Sequence, residues 1–202
     1  RGAEIVSVGK RCGARTITQE EINALMVERA REGRSVVRLK CGDPLIFGRA
    51  AEEMEALRQA GVEFEVVPGI TSALAAAAAI PASLTDRRSA SSVTFSTGHH
   101  AQSHDQAAMP AVENTTRVVY MPGRDLTLLA AEWMAEGLPA DFPCALVSRA
   151  AQAGQEVRHT TLANLGAAGP VQAPSLLLAG WALSRPAAEA AVRTAVDTFA
   201  EA

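Results

Sequence analysis

The sequence predicts an α/β protein, and three observations lead to this fold class. Short β-branched runs alternate with segments of helical periodicity along most of the chain. Turns that contain glycine follow several of these runs, as expected where parallel strands are joined by crossover helices. The 202 residues are 48% hydrophobic and 20% charged, which is typical of a globular protein with a sizeable core.

Three strands and three helices are predicted before residue 91. The strands are the apolar runs at residues 5–8, 36–39 and 64–67. A capping box at Thr18 and Glu21 begins the first helix, and Gly33 ends it. The other two helices are predicted over residues 49–60 and in the alanine-rich segment that begins near Thr71.

A second group of elements follows a polar connector at residues 81–92. It comprises a helix at residues 126–136, a final helix from about Pro186, and four strands, at residues 93–96, 117–121, 145–148 and 176–179. We therefore expect a domain boundary near Ser91. It would divide the chain into an N-terminal α/β domain with a parallel sheet, residues 1–91, and a C-terminal α/β domain, residues 92–202.

Composition and charge exclude several classes of protein. A net charge of −3 and a pI near 5.8 argue against a nucleic-acid-binding protein, which would show a basic surface. The longest apolar runs, at residues 73–80 and 176–183, are much shorter than the ~20 residues of a membrane span. Cys12, Cys41 and Cys144 show no disulfide-framework spacing, which indicates a reducing, cytoplasmic location.

Four loops that follow predicted strands are the candidate ligand sites, because ligands of open α/β sheets bind at the carboxyl ends of the strands. These loops are residues 9–11, 41–44, 68–72 and 121–123. Asp43 can accept hydrogen bonds from hydroxyl or ammonium groups. Thr71 and Ser72 lie at a helix start, where backbone N–H groups are free. Taken singly, Asp43 and Thr71 are better explained as ordinary turn and cap residues.

The sequence lacks the motifs of several common sites. Glu4 stands where a phosphate-binding Walker motif that ended at Gly9-Lys10 would need glycine, and no GxGxxG follows a predicted strand. No GxSxG motif supports serine hydrolase chemistry. His99, His100 and His104 lie in a polar segment without an obvious further ligand, so a solvated loop is favoured over a metal site.

Taken together, the loops resemble the motifs of the tetrapyrrole methylase family. The matching segments are VGKR at 8–11, QEEIN at 19–23, VVRLKCGDPLIFGR at 36–49, VPGITS at 67–72, IP at 80–81 and TGH at 97–99. The segment that ends at Arg49 is the most specific of them. The similarity extends over essentially the whole chain and is densest over residues 8–100.

This resemblance implies two α/β domains with S-adenosylmethionine bound in the cleft between them, and a homodimer. The implied reaction methylates two ring carbons of uroporphyrinogen III, giving precorrin-2 for sirohaem and cobalamin synthesis and S-adenosylhomocysteine as the by-product. Lys10 matches the family's catalytic lysine, which handles protons. By matching position, the residues that bind the cofactor are Cys41, Gly42, Asp43, Ile46, Thr71, Ser72, Met121 and Ala150.

The physical chemistry of the residues agrees with these implied roles. Lys10 and Lys40 are the only lysines, and a lysine with a perturbed pKa can release a proton near neutral pH, which arginine cannot. Lys40 is equally well explained as a side chain at the end of a strand. Arginines suit the carboxylates of the substrate, and the candidates are Arg11, Arg15, Arg38, Arg49, Arg87, Arg88 and Arg149.

The sequence departs from the family pattern at three places. The family's Gly-x-Gly-Pro-Gly-Asp loop, and an aspartate proposed as its catalytic base, would both lie before Arg1. We expect a chain that begins at Arg1 to be a weak or inactive enzyme with an exposed sheet edge. Cys41 and Ala150 stand where the family usually has glycine. The alternatives are another precorrin methyltransferase of the same fold and a truncated, non-catalytic binding or oligomerisation domain.

Overall fold

A computed structural model of the chain describes residues 2–9, 17–98, 113–123, 125–169 and 171–184. The chain divides into two compact units, Arg1–Gly69 and Ile70–Ala202. Helices occur in both units and a five-stranded sheet in the second, so the predicted α/β class is confirmed. Within the described ranges, no helix is both long enough and apolar enough to cross a membrane.

Two helices form the framework of the first unit. The first, α1 (Gln19–Arg31), packs against the second, α2 (Ala50–Gln59), and buries Ile22 and Met26. The predicted capping box is confirmed, because Thr18 Oγ1 accepts from the Glu21 N–H at 3.2 Å and the Thr18 N–H donates to Glu21 Oε2 at 2.7 Å. Beyond α1, Gly33 takes a left-handed φ of +77°, the ending that its sequence position predicts.

The three strands predicted in the first unit are not formed. Residues 5–8, 36–39 and 64–67 have no ladder partner among the described residues, so the expected parallel sheet is missing from this part of the structure. A β-branched composition favours extended backbone, but a strand also needs hydrogen bonds to a neighbour. Without them, Ile5, Val37 and Val67 are 92%, 77% and 72% exposed.

The second unit contains one mixed sheet in the strand order β1-β2-β5-β3-β4. Adjacent strands β1 and β2 are parallel, and the other three pairs are antiparallel. The strands predicted near residues 93, 117, 145 and 176 are confirmed, whereas β4 was not predicted. Their bounds are β1 (Ser92–Thr97), β2 (Thr115–Tyr120), β3 (Pro143–Ser148), β4 (Glu156–Thr161) and β5 (Ser175–Ala179).

Two helices accompany this sheet, α3 (Ser72–Ala79) and α4 (Thr127–Ala135). Helix α3 lies in the second unit, although it precedes the predicted domain boundary near Ser91. That boundary stays a prediction. The core lies between α4, the short 3-10 turns after β4 and the sheet. Its largest fully buried side chains are Phe142, Leu146, Leu162, Leu165 and Leu177.

Candidate cofactor-binding site

Four of the eight predicted cofactor-binding residues lie in one loop of the first unit, residues 41–48, which we call the cofactor loop. Cys41 and Gly42 are exposed, whereas Asp43 and Ile46 are half-buried. Asp43 Oδ1 accepts from the Leu45 N–H at 2.8 Å, and the Ile46 N–H donates to the Asp43 carbonyl oxygen at 3.3 Å. Asp43 therefore closes a turn through its own side chain, as aspartate commonly does.

Gly69 packs closely against the cofactor loop within the first unit. Its N–H donates to Asp43 Oδ2 at 2.9 Å. A Cβ at this position would collide with the carbonyl oxygen of Gly42 and lie 3.4 Å from the Asp43 Cα. Only glycine allows this approach, and the sequence pattern did not indicate it. Both carboxylate oxygens of Asp43 therefore accept hydrogen bonds from backbone N–H groups. Asp43 thus has a structural role in addition to the predicted cofactor contact.

The cofactor loop and its exit use backbone conformations that are unfavourable for most residues. Gly42 has φ +73°, and Phe47 and Arg49 have φ +48° and +57°. A left-handed residue other than glycine costs about 1–2 kcal/mol. Such residues persist only where the surrounding structure holds them in place. The contacts at both ends of the loop are therefore part of the site.

A buried charge network lies at those two ends. Glu53 of α2 is 7% exposed, and its Oε2 pairs with Lys40 Nζ at 2.5 Å. Its Oε1 accepts from Arg38 Nε at 3.1 Å and from Gln19 Nε2 at 3.2 Å. Lys40, predicted as an ordinary side chain at the end of a strand, is 10% exposed and belongs to this network. The partnership was invisible to sequence reasoning, because Lys40 and Glu53 have no common motif.

Opposing effects act on the pKa of Glu53. Burial disfavours the charged carboxylate and would raise the pKa. The hydrogen bonds from Lys40 and Gln19, together with the positive charges of Lys40 and Arg38, outweigh burial and lower the pKa below its ordinary value. Glu53 is therefore ionised in the folded protein at neutral pH, and each of its oxygens is occupied.

The second unit brings Met121 and Ala150 to one edge of its sheet. Strands β2 and β3 both run antiparallel to the intervening β5, so they end on the same side. Met121 follows β2 directly and Ala150 lies two residues after β3. The two strands are separated by β5, so they are about 10 Å apart by strand spacing. The sheet therefore collects these two predicted cofactor residues, as expected for strand-end loops.

Gly98 supports the Met121 position. The Gly98 N–H donates to the Tyr120 carbonyl oxygen at 2.8 Å, and Met121 takes a left-handed φ of +49°. A Cβ on Gly98 would collide with the Met121 carbonyl oxygen and lie 3.0 Å from the Pro122 Cα. Gly98 lies in the TGH segment that matched the family, and the structure gives a steric reason for glycine there.

Thr71 does not cap α3 with its side chain. Its Oγ1 lies 2.5 Å from the hydroxyl of Tyr120, and both residues are buried. Ser72, the first residue of α3, is half-buried. Tyr120 precedes Met121, so one residue links the start of α3 to the edge that carries Met121. Sequence reasoning missed Tyr120, whose only signal was a polar hydroxyl at the end of an apolar strand.

The two departures from family glycines have backbone conformations that other residues also adopt. Neither Cys41 nor Ala150 has a φ in the left-handed region, so neither position requires glycine for its backbone conformation. The left-handed residues near the second position are instead its neighbours, Arg149 at +52° and Ala151 at +57°. The substitution at position 41 adds an exposed thiol to the cofactor loop.

Several predicted residues lie outside the described part of the chain. These are the catalytic candidate Lys10, the substrate candidates Arg11 and Arg15, and the histidines His99, His100 and His104. Within the described ranges, no group of three or more acidic, histidine or cysteine side chains is placed to hold a metal ion.

Charge pairing separates the remaining arginine candidates. Arg38 pairs with Glu53, and Arg49 and Arg88 bind Glu52 and Asp86 through two nitrogens each. No carboxylate among the described residues lies within ion-pair distance of the two others, Arg87 and Arg149.

Comparison with known proteins identifies the family of this chain. The sequence model of one protein family, the tetrapyrrole (corrin/porphyrin) methylases, matches residues 3–166. This range includes the cofactor loop, Met121 and Ala150. The chain belongs to the tetrapyrrole methylase family. The fold and the motif resemblance predicted from the sequence are thereby confirmed.

Two curated relatives show how much of a longer protein this methylase covers. It is 42% identical over 185 residues to the S-adenosyl-L-methionine-dependent uroporphyrinogen III methyltransferase of Methanosarcina barkeri, a match that covers 88% of this chain and 72% of the relative. It is 38% identical over 213 residues to siroheme synthase 1 of Yersinia pseudotuberculosis, covering 99% of this chain. The chain thus spans less than half, 45%, of that synthase.

Solved structures share the fold of this methylase. One is uroporphyrin-III C-methyltransferase from Thermus thermophilus complexed with S-adenyl homocysteine, with a TM-score of 0.68 and 34% identity over 82% of this chain and 74% of that one. Another is a cobalt precorrin-4 methyltransferase, with a TM-score of 0.68 and 29% identity over 83% of this chain and 72% of that one.

Proposed function

We propose that this chain methylates two ring carbons of uroporphyrinogen III, using S-adenosylmethionine as the donor and giving precorrin-2. One observation carries the proposal: the relative from Methanosarcina barkeri named for this activity is 42% identical and is matched over 72% of its length. The product would enter sirohaem synthesis, in keeping with the siroheme synthases among the relatives. Cobalamin synthesis, which also begins from methylated tetrapyrroles, is a second proposed destination.

The described residues fit the proposed cofactor. Such a nucleoside offers an aromatic base, hydroxyl groups and a charged amino acid to a protein. The chain offers exposed backbone at Cys41 and Gly42 and an exposed thioether at Met121. Thr71 is buried, and its hydroxyl bonds to that of Tyr120, the residue before Met121. We propose that these groups, with Asp43, Ile46, Ser72 and Ala150, hold the cofactor. When bound, the cofactor supplies an electrophilic methyl group.

The protein's part in such a reaction is to position the reactants and to move a proton. Holding two reactants in a productive alignment supplies ~7–11 kcal/mol of a barrier. Each methylation of the macrocycle forms one carbon–carbon bond, breaks the sulfur–methyl bond of the donor to leave S-adenosylhomocysteine, and releases one proton from the substrate. We propose that Lys10 handles that proton, by its match to the family lysine. Among the arginine candidates, we propose Arg87 and Arg149 for the substrate carboxylates, since a guanidinium suits a carboxylate and neither has a described carboxylate partner.

Two measurements test the function. Calorimetric titration with S-adenosylhomocysteine measures binding without the tetrapyrrole, and mass spectrometry of uroporphyrinogen III incubated with the donor measures methyl transfer. We expect binding and a product that carries two added methyl groups. A folded chain that does not bind S-adenosylhomocysteine would favour the non-catalytic alternative. Binding without methylation of uroporphyrinogen III would favour a different tetrapyrrole substrate.

Lys10→Met tests the catalytic assignment. A general acid–base contributes ~10²–10⁴-fold, so we expect methyl transfer to fall by that factor while the affinity for S-adenosylhomocysteine is retained. Lys10→Arg is the matched variant, because it keeps the charge but cannot release a proton near neutral pH. Transfer by Lys10→Met within about threefold of the unmodified chain contradicts the assignment.

One alternative substrate has structural support. The cobalt precorrin-4 methyltransferase shares the fold at the same TM-score as the uroporphyrin-III enzyme, although at lower identity. Parallel assays with uroporphyrinogen III and with a later precorrin distinguish the two, and we expect the first to be preferred.

We also propose a cytoplasmic homodimer. Cys41 and Cys144 are free thiols, in keeping with a reducing compartment. The homodimer follows from the family resemblance. Analytical ultracentrifugation measures the oligomeric state, and a monomer at micromolar concentration would overturn that part of the proposal.

A further inference from the structure

Glu53 joins the two ends of the cofactor loop. Lys40 immediately precedes Cys41, and Glu53 lies in the first turn of α2, which begins two residues after the loop. The Lys40–Glu53 pair is therefore a bridge across the base of the loop, between residues 13 apart in sequence. Both side chains are largely removed from solvent, at 10% and 7% exposed.

The bridge also touches the loop backbone. A Cβ built on Gly48 would lie 2.7 Å from the Pro44 carbonyl oxygen and 3.3 Å from Lys40 Cε. The Lys40 stem consequently runs alongside the Pro44–Gly48 turn, while its ammonium group is fixed by the Glu53 carboxylate. If the Lys40 side chain moved, it would no longer pack beside Gly48, at the end of the loop that contains Phe47 with its left-handed φ.

The second carboxylate oxygen fixes the chain on the other side. Glu53 Oε1 accepts from Arg38 and from Gln19, the first residue of α1. One carboxylate therefore fixes α1, the segment before the cofactor loop and α2 relative to each other within the first unit. A loop that contains unfavourable φ values requires this kind of constraint.

We infer that Glu53 is a positioning residue: through Lys40 it holds the cofactor loop in the conformation that binds S-adenosylmethionine. The inference rests on the proposed function, because the loop's contact with the cofactor is part of that proposal. The Glu53 carboxylate bonds to Lys40, Arg38 and Gln19, which lie outside residues 41–48. It therefore acts on the cofactor loop through other side chains.

The test compares the affinity of each variant for S-adenosylhomocysteine, measured by calorimetry. The melting temperature of each variant is measured alongside, as a check on its stability. Glu53→Gln keeps the shape and removes the charge, and we expect its affinity to fall about tenfold or more, as for other small displacements of binding groups. Glu55→Gln is the matched control, because Glu55 lies on the same helix with a half-exposed carboxylate. Its affinity should stay within about twofold of the unmodified chain.

A second control separates positioning from general destabilisation. Met26→Ala removes a buried apolar side chain of α1 that makes none of the network's hydrogen bonds or ion pairs. It should lower the melting temperature and leave the affinity unchanged at temperatures where the chain is folded. An equal loss of affinity in Met26→Ala would mean that Glu53 is only structural, which overturns the inference.

A double-mutant cycle tests whether Glu53 acts through Lys40. Lys40→Met removes the same ion pair and leaves Arg38 and Gln19 on the carboxylate, so it also serves if Glu53→Gln fails to fold. The double variant should lose no more affinity than the weaker-binding single variant, whereas additive losses would contradict the route through Lys40. If both single variants bind like the unmodified chain, the inference alone fails. If the unmodified chain does not bind, the proposed function and this inference fail together.

Discussion

The two described cysteines have opposite environments. Cys41 is exposed in the cofactor loop, whereas Cys144 is 3% exposed in β3. Burial raises the pKa of the Cys144 thiol to about 12. Because the thiolate is the reactive form, Cys144 should be inert in the folded protein, and Cys41 reports on the loop.

Alkylation of Cys41 should be slowed by S-adenosylhomocysteine. At a ligand concentration about ten times its Kd, only ~1/11 of the sites are free, so the rate should fall about tenfold if the ligand covers Cys41. Iodoacetamide labelling followed by peptide mass spectrometry measures the rate at each cysteine. Cys144 should react only after denaturation, with or without the ligand. An unchanged Cys41 rate at saturation would place the thiol outside the cofactor contact.

Asp43 and Thr71 show what residue type can and cannot predict. Taken singly, their residue types predict a turn residue at Asp43, which is confirmed, and a helix cap at Thr71, whose side chain does not cap α3. Asp43 bonds the nearby Leu45 N–H, as a turn residue does, but its second partner is Gly69, 26 residues away. The partner of Thr71 is Tyr120, 49 residues away. Residue type indicates bonding capacity, but only the fold selects a partner at such separations. Their contacts with the cofactor stay predictions.

At the scale of elements, the cofactor loop depends on its neighbour at Gly69. The two backbones approach so closely that no side chain fits between the Gly69 Cα and the Gly42 carbonyl group. The approach also brings the Gly69 N–H within 2.9 Å of Asp43 Oδ2. If the Gly69 and Gly42 backbones moved apart, the loop would be strained and the hydrogen bond from the Gly69 N–H to Asp43 Oδ2 would be weakened at the same time.

Gly69→Ala should impair both stability and binding. Forcing an atom into such a contact costs typically ~1–3 kcal/mol, and the loop displacement should reduce the affinity for S-adenosylhomocysteine. Gly9→Ala is the matched control for stability, because an added Cβ at Gly9 meets no atom of the described residues within 4 Å. Urea denaturation and calorimetry measure the two effects. A Gly69→Ala variant with unchanged stability and affinity would contradict the tight contact.

Elements with local signals were predictable, and elements that depend on a distant partner were not. The Thr18–Glu21 capping box fixed the start of α1, because its two hydrogen bonds are local. The run at residues 36–39 has a strand-like composition but no ladder partner among the described residues, so no strand forms. Strand β4 has no apolar run to predict it, because it lies at the edge of the described sheet, next to β3, and its residues are partly or fully exposed.

At the scale of the whole molecule, few of the ion pairs are expected to affect stability. The chain carries 19 basic and 22 acidic residues, and pairs such as Arg34–Glu4 and Arg58–Glu55 have both side chains more than half exposed. Exposed pairs contribute about 0–1 kcal/mol and are screened by salt. Removing one partner of a buried pair costs about 3–5 kcal/mol, so the Glu53 network should dominate.

The acid sensitivity of folding should therefore depend on Glu53. Burial alone would raise the pKa of Glu53 in the folded protein. The hydrogen bonds and charges of Lys40, Gln19 and Arg38 outweigh it and lower the pKa. A lowered folded-state pKa means that the stabilisation is fully present above the pKa of the unfolded chain, near the ordinary value of 4.5. It is lost as the pH falls through the lower, folded-state pKa, because protonation then removes the charge that holds Lys40.

Urea denaturation between neutral and acidic pH, in salt high enough to screen the exposed pairs, measures this dependence. The difference in unfolding free energy between the unmodified chain and Glu53→Gln should be greatest at neutral pH and should shrink as the pH falls below about 4.5. Glu55→Gln provides the comparison for a surface carboxylate and should follow the unmodified chain throughout. A difference between the unmodified chain and Glu53→Gln that stays constant with pH would mean that the Glu53 charge does not stabilise the fold, and the loss in that variant would then be one of packing.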